Sequence, residues 1–283
     1  MGTVLVTFVL IVFGGYVASS ESGMGCGPDW PLCNGVLVPA LHGETLIEYT
    51  HRVIGALLAV LSVLLWFKIR RSQTAASVRR AADGMALLLA AQIVLGALVV
   101  LLDLPTIVIT IHLLIALAYM AVLLYIWRAT RPANIPADRP TPPGFLRKHI
   151  DLTLFLTAIT IALGAYVKHQ SFGLACGWLS CRESWFPSGE AQFVQSLHRL
   201  FAFVTAVYLV VFTAVVVASA RCRIAGLRKR LAAIAAIVSI QLLVGAIAVS
   251  TDLNIAWAVI HLTVATGLFA FLTELRVWLG TSR

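Results

Sequence analysis

The sequence predicts an all-α integral membrane protein whose eight transmembrane helices form two tandem, pseudo-twofold-related four-helix bundles. Three observations carry this expectation. Of 283 residues, 60% are hydrophobic and only 12% charged, about half the charge of an ordinary soluble domain. Eight apolar runs are each long enough to cross ~30 Å of hydrocarbon. The first half of the chain also matches the second at an offset that stays between 147 and 150 residues.

The runs fall near residues 3–20, 49–67, 84–102, 106–126, 150–168, 194–218, 232–250 and 255–275. Helix is the open-chain conformation that satisfies every backbone polar group in lipid, so each run is expected to be helical. The first run has a loose signal-peptide look at Ala18-Ser19-Ser20. No basic residue precedes it, and the repeat needs it as a span, so it is expected to stay. Residues 1–130 form the first half and 149–283 the second. The segment 131–148, rich in proline and basic residues, is the expected cytoplasmic linker.

Charge sets the expected orientation. Lys68, Arg70, Arg71, Arg79, Arg80, Arg128, Arg131, Arg139, Arg147, Lys148, Arg221, Arg223, Arg228, Lys229, Arg230, Arg276 and Arg283 fall on one side of an eight-span topology. They are 17 of the 21 basic residues, leaving Arg52, Lys168, Arg182 and Arg199. The positive-inside rule then places both termini in the cytoplasm of a multi-pass cell-membrane protein. The net charge of +9 is thereby used up in short loops facing the bilayer, and nucleic acid is excluded as a partner.

Cys26, Cys33, Cys176 and Cys181 all fall in the two long loops on the opposite, extracytoplasmic side, with Cys222 alone on the basic side. Four cysteines allow three connectivities. Closeness in sequence favours Cys26–Cys33 and Cys176–Cys181 in an oxidising compartment, and leaves open whether the pairs are structural or redox-active.

The repeat is visible in particular residues. Gly14-Gly15-Tyr16-Val17 answers Gly164-Ala165-Tyr166-Val167, and Gly25-Cys26-Gly27 answers Ala175-Cys176-Gly177. His51-Arg52 answers His198-Arg199, and Gln92 through Ala97 answers Gln241 through Ala246. Asp103-Leu104 and Ile111-His112-Leu113 answer Asp252-Leu253 and Ile260-His261-Leu262. An even number of spans per copy keeps both copies in one orientation, as in parallel-repeat membrane proteins.

Four of the seven histidines, His51, His112, His198 and His261, lie inside spans at repeat-matched positions. Each is a few residues into its span from the cysteine-bearing side, roughly 6–10 Å deep at helical rise. A single membrane histidine is explained by a hydrogen bond across helices. Two at one depth, duplicated, point instead to a bound group, since ionisable residues in lipid are costly. A bare zinc ion wants three or four close ligands, whereas two imidazoles facing across an apolar bundle suit the axial positions of a heme iron. No Cys-x-x-Cys-His occurs, which excludes covalent attachment. Arg52 and Arg199 each follow such a histidine and are candidates to pair with heme propionates.

The halves differ at one position near the histidines. Glu48 lies three residues before His51, on the same helix face, and its match before His198 is Gln195. A carboxylate there can take a proton or stabilise positive charge on a substrate carbon.

The chain resembles the heme A synthase family. The resemblance is carried by residues 25–35 (Gly25-Cys26-Gly27-Pro28-Asp29-Trp30-Pro31-Leu32-Cys33-Asn34-Gly35), by Glu48-Tyr49-Thr50-His51-Arg52, and by the second-copy residues Tyr166-Val167-Lys168-His169, Ala175-Cys176 and His198-Arg199. It covers essentially the whole chain; Asn34 departs from a histidine found in some relatives. The resemblance implies an oxidoreductase that converts heme O to heme A, oxidising the C8 methyl to a formyl group by two hydroxylations. It implies a heme b cofactor on His198 and His261, and substrate heme near His51 and His112 with Glu48 as the catalytic residue. The partners it implies are a heme O synthase and an electron donor, with a homo-oligomer left open. The competing expectations are a diheme b-type electron carrier without substrate chemistry, which the Glu48/Gln195 difference disfavours, and a transporter, which would need helices broken at the midplane.

Overall fold

The computed structural model describes residues 1–131, 143–177, 181, 187–219 and 224–280. Arg139, Arg182, Arg221, Cys222, Arg223, Arg283 and most of the expected linker lie outside the described residues. Eight helices are present among the described residues, each long and apolar enough to cross a membrane. They are α1 (Gly2–Ser19), α2 (Gly43–Arg71), α3 (Ala76–Leu101), α4 (Thr106–Ala129), α5 (Gly144–His169), α6 (Glu190–Ala218), α7 (Leu227–Ser250) and α8 (Ile255–Gly280).

Several helices outrun the apolar segments that announce them. α2 begins six residues before 49 and ends at Arg71, and α3 begins at Ala76 rather than 84. Hydropathy marks only the part inside hydrocarbon. Helical hydrogen bonding continues into the interface, where Glu44, Lys68, Arg70 and Arg71 can reach water from a helical backbone.

The chain divides into two compact units, Met1–Thr130 and Arg131–Arg283. In the first, α1 packs on α2, α2 on α3, α3 on α4, and α4 back on α1. The four helices form a closed ring, so α2 and α4 oppose one another across its diagonal. In the second unit α5, α6, α7 and α8 close in the same cyclic order, with α6 and α8 on the diagonal.

Side chains sort as a lipid solvent requires. Leu5, Leu64, Leu87, Phe155, Phe203 and Val215 are exposed on the outer faces of their helices, a surface that water would not tolerate at this extent. Inside, the second unit packs Leu209, Leu227, Leu231, Ile234, Leu272 and Leu279 without solvent contact. Several hydroxyl groups in the spans bond back into their own helix: Thr7 to the Thr3 carbonyl, Thr110 to Thr106, Thr263 to Val259 and Thr273 to Phe269, all at 2.7–2.8 Å.

The short turns after α3 and α7 repeat one device. Asp103 and Leu104 are both left-handed (φ 59° and 59°), as are Asp252 and Leu253 (φ 50° and 58°). Leu104 N–H reaches the Val99 carbonyl and Leu253 N–H the Ala248 carbonyl, both at 2.8 Å. This is the six-to-one bond of a Schellman close, made here without glycine. Each strained leucine lies against a glycine of its unit's long loop, Leu104 on Gly23 and Leu253 on Gly173. The turn and the disulfide loop are thereby held together at the same end of the unit.

Candidate functional site: two histidine pairs

In the first unit His51 is the ninth residue of α2 and His112 the seventh of α4, ~12 Å and ~9 Å along their helices at 1.5 Å per residue. The two helices are the diagonal pair of the ring. Each ring lies against a glycine of the preceding helix. A methyl group at Gly14 would stand 3.1 Å from His51 Cε1, and one at Gly96 3.5 Å from His112 Cε1. Phe13 stacks on His51 with ring centroids 6.2 Å apart. Both Nδ1 atoms are buried with no hydrogen-bond partner.

The second unit repeats the registers. His198 is the ninth residue of α6 and His261 the seventh of α8, again on the diagonal pair. A methyl group at Gly164 or at Gly245 would come within 2.9 Å of the corresponding Cε1. Here the ring nitrogens have partners. His198 Nδ1 lies 3.0 Å from the Thr160 carbonyl, and the Gln241 amide nitrogen lies 3.2 Å from each ring nitrogen of His261.

The disulfides join Cys26 to Cys33 and Cys176 to Cys181. Glu48, only 4% exposed, holds the first of these loops. Its Oε2 accepts the Cys26 N–H at 2.8 Å, and its Oε1 takes Arg52 Nε at 3.0 Å and Nη2 at 2.5 Å. Arg52 Nη1 also donates to the Leu32 carbonyl at 2.8 Å. Gly25 is required beside them: any side chain there would run into the backbone of Glu44 and Thr45. In the second unit Gln195 Oε1 accepts the Cys176 N–H at 2.5 Å and its amide donates to the Gly173 carbonyl. Arg199 donates to the carbonyls of Gly177 and Cys176. Glu48 and Gln195 thus share the role of bracing a cysteine N–H. What Glu48 adds is a buried negative charge paired to a guanidinium, one helical turn from His51.

These residues fit a heme. Among the described residues no cluster of three or more His, Cys, Asp or Glu could hold a bare metal ion. Each unit offers two imidazoles on opposed helices, seated where glycine leaves room for the ring, which is the donor set of axial heme ligation. The four glycines were visible in the sequence as repeat matches, but their role depends on which helix lies beside which. The Thr160 carbonyl and the Phe13 ring carry no sequence signal of their own.

The fold and site define a polytopic, all-helical membrane protein with a duplicated histidine pair. The chain belongs to the family described as cytochrome oxidase assembly protein, whose model matches residues 1–45 and 41–273. It is similar to a heme A synthase of Symbiobacterium thermophilum, 35% identical over 64% of this chain and 62% of that protein. It is also similar to one of Exiguobacterium sibiricum, 33% identical over 69% and 66% respectively. The match thus spans slightly less than two thirds of these two relatives. A heme A synthase of Geobacillus kaustophilus is 30% identical over 96% of this chain and 88% of its own length.

Proposed function

We propose that this protein is a heme A synthase: it oxidises the C8 methyl of heme O by two successive hydroxylations, and loss of water from the resulting diol leaves the formyl group of heme A. The observation that carries this reading is a duplicated histidine pair differing beside His51, where a buried carboxylate, Glu48, stands in place of Gln195. A symmetric electron carrier has no use for that difference. The curated names of the relatives point the same way.

In this reading His198 and His261 hold heme b, which when bound supplies one-electron redox chemistry. His51 and His112 take the iron of the substrate heme. The bare Nδ1 of His51 suits a ligand that must leave, whereas the partnered nitrogens of His198 and His261 suit one that stays. The Glu48 carboxylate, paired with Arg52, places negative charge near the reacting edge. It stabilises positive charge developing on the substrate carbon. The Cys26–Cys33 loop, tied to Glu48 through the Cys26 N–H, excludes water from that side. Arg52 and Arg199 each spend part of the guanidinium on loop carbonyls, and we assign the propionates to the same two residues. The basic loops and both termini face the cytoplasm, and a heme O synthase supplies the substrate. Each hydroxylation takes two electrons from the methyl carbon, so the reaction consumes one dioxygen per hydroxylation, with an electron donor supplying the two further electrons that reduce its second oxygen atom to water.

The test is chromatography of pigments from cells that make heme O and express this chain. Heme A is expected to appear. Unconverted heme O alongside a fully expressed, heme b-loaded protein would refute the reading.

A further inference from the structure

Gln92 on α3 and Gln241 on α7 precede by four residues the glycines that face His112 and His261. Four residues make about one helical turn, so each glutamine shares a helix face with its glycine. The Gln241 carboxamide lies 3.2 Å from both ring nitrogens of His261. Its Oε1 is buried without a hydrogen-bond partner, and so are Gln92 Oε1 and His112 Nδ1. A buried amide oxygen left unbonded is costly, and in lipid no water can repair it. Two such oxygens at matched positions, each on the face turned toward a histidine, call for a shared donor.

We infer that Gln92 and Gln241 are positioning residues that accept the Nδ1–H of His112 and His261, and so fix which ring nitrogen faces the iron. Oε1 and Nε2 of a carboxamide exchange by a half-turn of its last torsion. That half-turn puts the Gln241 carbonyl 3.2 Å from both ring nitrogens of His261, and a rotation of the ring about its Cβ–Cγ bond then seats Nδ1–H on the carbonyl and leaves Nε2 with its lone pair free. The role is the one the Thr160 carbonyl plays for His198. All three acceptors raise the basicity of the imidazole behind the iron, as outer partners of metal-bound histidines do. His51 has no such partner, so the substrate site has one oriented ligand and one loose one. The inference rests on the heme reading above.

The experiment uses the purified, heme-loaded protein with Gln241→Leu, Gln241→Glu and Gln92→Leu. The readouts are the heme b midpoint potential and the low-spin ferric EPR signal. A more basic imidazole favours ferric iron. The potential is therefore expected to rise in Gln241→Leu and fall in Gln241→Glu, with about 10- to 100-fold weaker heme retention in the leucine variant. Gln92→Leu is expected to leave the heme b signals unchanged while weakening binding of added heme O. Loss of heme b in Gln241→Leu with retention in Gln241→Glu also supports the inference. Loss in both, or unchanged potential and EPR in both, overturns it. A wild-type protein without heme b overturns the underlying reading as well, whereas a heme-bearing wild type with unaltered variants overturns this inference alone.

Discussion

Gly164→Ala offers a graded test of how the histidines are seated. In an exposed helix interior this change gains about 1 kcal/mol of helix propensity. At residue 164 the new methyl would stand 2.9 Å from His198 Cε1 and 3.4 Å from Nδ1. The closer contact falls well short of an ordinary carbon separation of about 3.5–4 Å, so the ring must retreat by roughly 0.5–1 Å. That retreat stretches the 3.0 Å contact from Nδ1 to the Thr160 carbonyl beyond a useful hydrogen bond. Loss of such an outer partner costs about 10- to 100-fold in affinity at metal-bound histidines. Heme b content, read from the reduced-minus-oxidised spectrum of purified protein, is expected to fall accordingly. Gly245→Ala, also at 2.9 Å, should behave alike. Gly96→Ala, at 3.5 Å from His112, should cost the first site little. Gly267→Ala, with nothing within 4 Å, is the control and should retain heme b fully. Equal heme content in Gly164→Ala and Gly267→Ala would refute the reasoning.

Glu48→Gln should keep the Cys26 N–H acceptor, as Gln195 does for Cys176, while removing the charge that pairs with Arg52. Heme b binding is expected to persist and heme A formation to stop; a normal heme A yield by pigment chromatography would remove Glu48 from the chemistry. Replacing Cys26 and Cys33 by serine should lower the denaturation midpoint by the equivalent of about 2 kcal/mol, the chain-entropy value for so short a loop. The heme b spectrum of the second half should be unaffected, and collapse of that spectrum would show the loop serves both halves.

Much of the molecule was legible in the sequence because lipid imposes simple rules. Eight apolar runs became eight helices, since an unbonded backbone cannot exist in hydrocarbon. The cysteine pairs were legible from their short separations. The histidines were legible because imidazole in lipid is rare and these four recur in register. Helix ends were less so: α2 and α3 continue past their apolar cores into the interface, where hydropathy carries no signal. The seating of each imidazole on Gly14, Gly96, Gly164 or Gly245 depends on which helices are neighbours, a tertiary fact. The same holds for Glu48. Its spacing placed it on the face of His51, but the Cys26 N–H that occupies one of its oxygens comes from a loop 22 residues away.

The central claim is that one scaffold, used twice, gives its halves different work. Pigment analysis of two double variants tests it most directly: His51→Ala with His112→Ala, and His198→Ala with His261→Ala, each purified from cells that make heme O. The first is expected to retain heme b and to carry neither heme O nor heme A. The second is expected to lose heme b. Identical pigment loss from both, or loss of heme b from the first alone, would contradict the assignment.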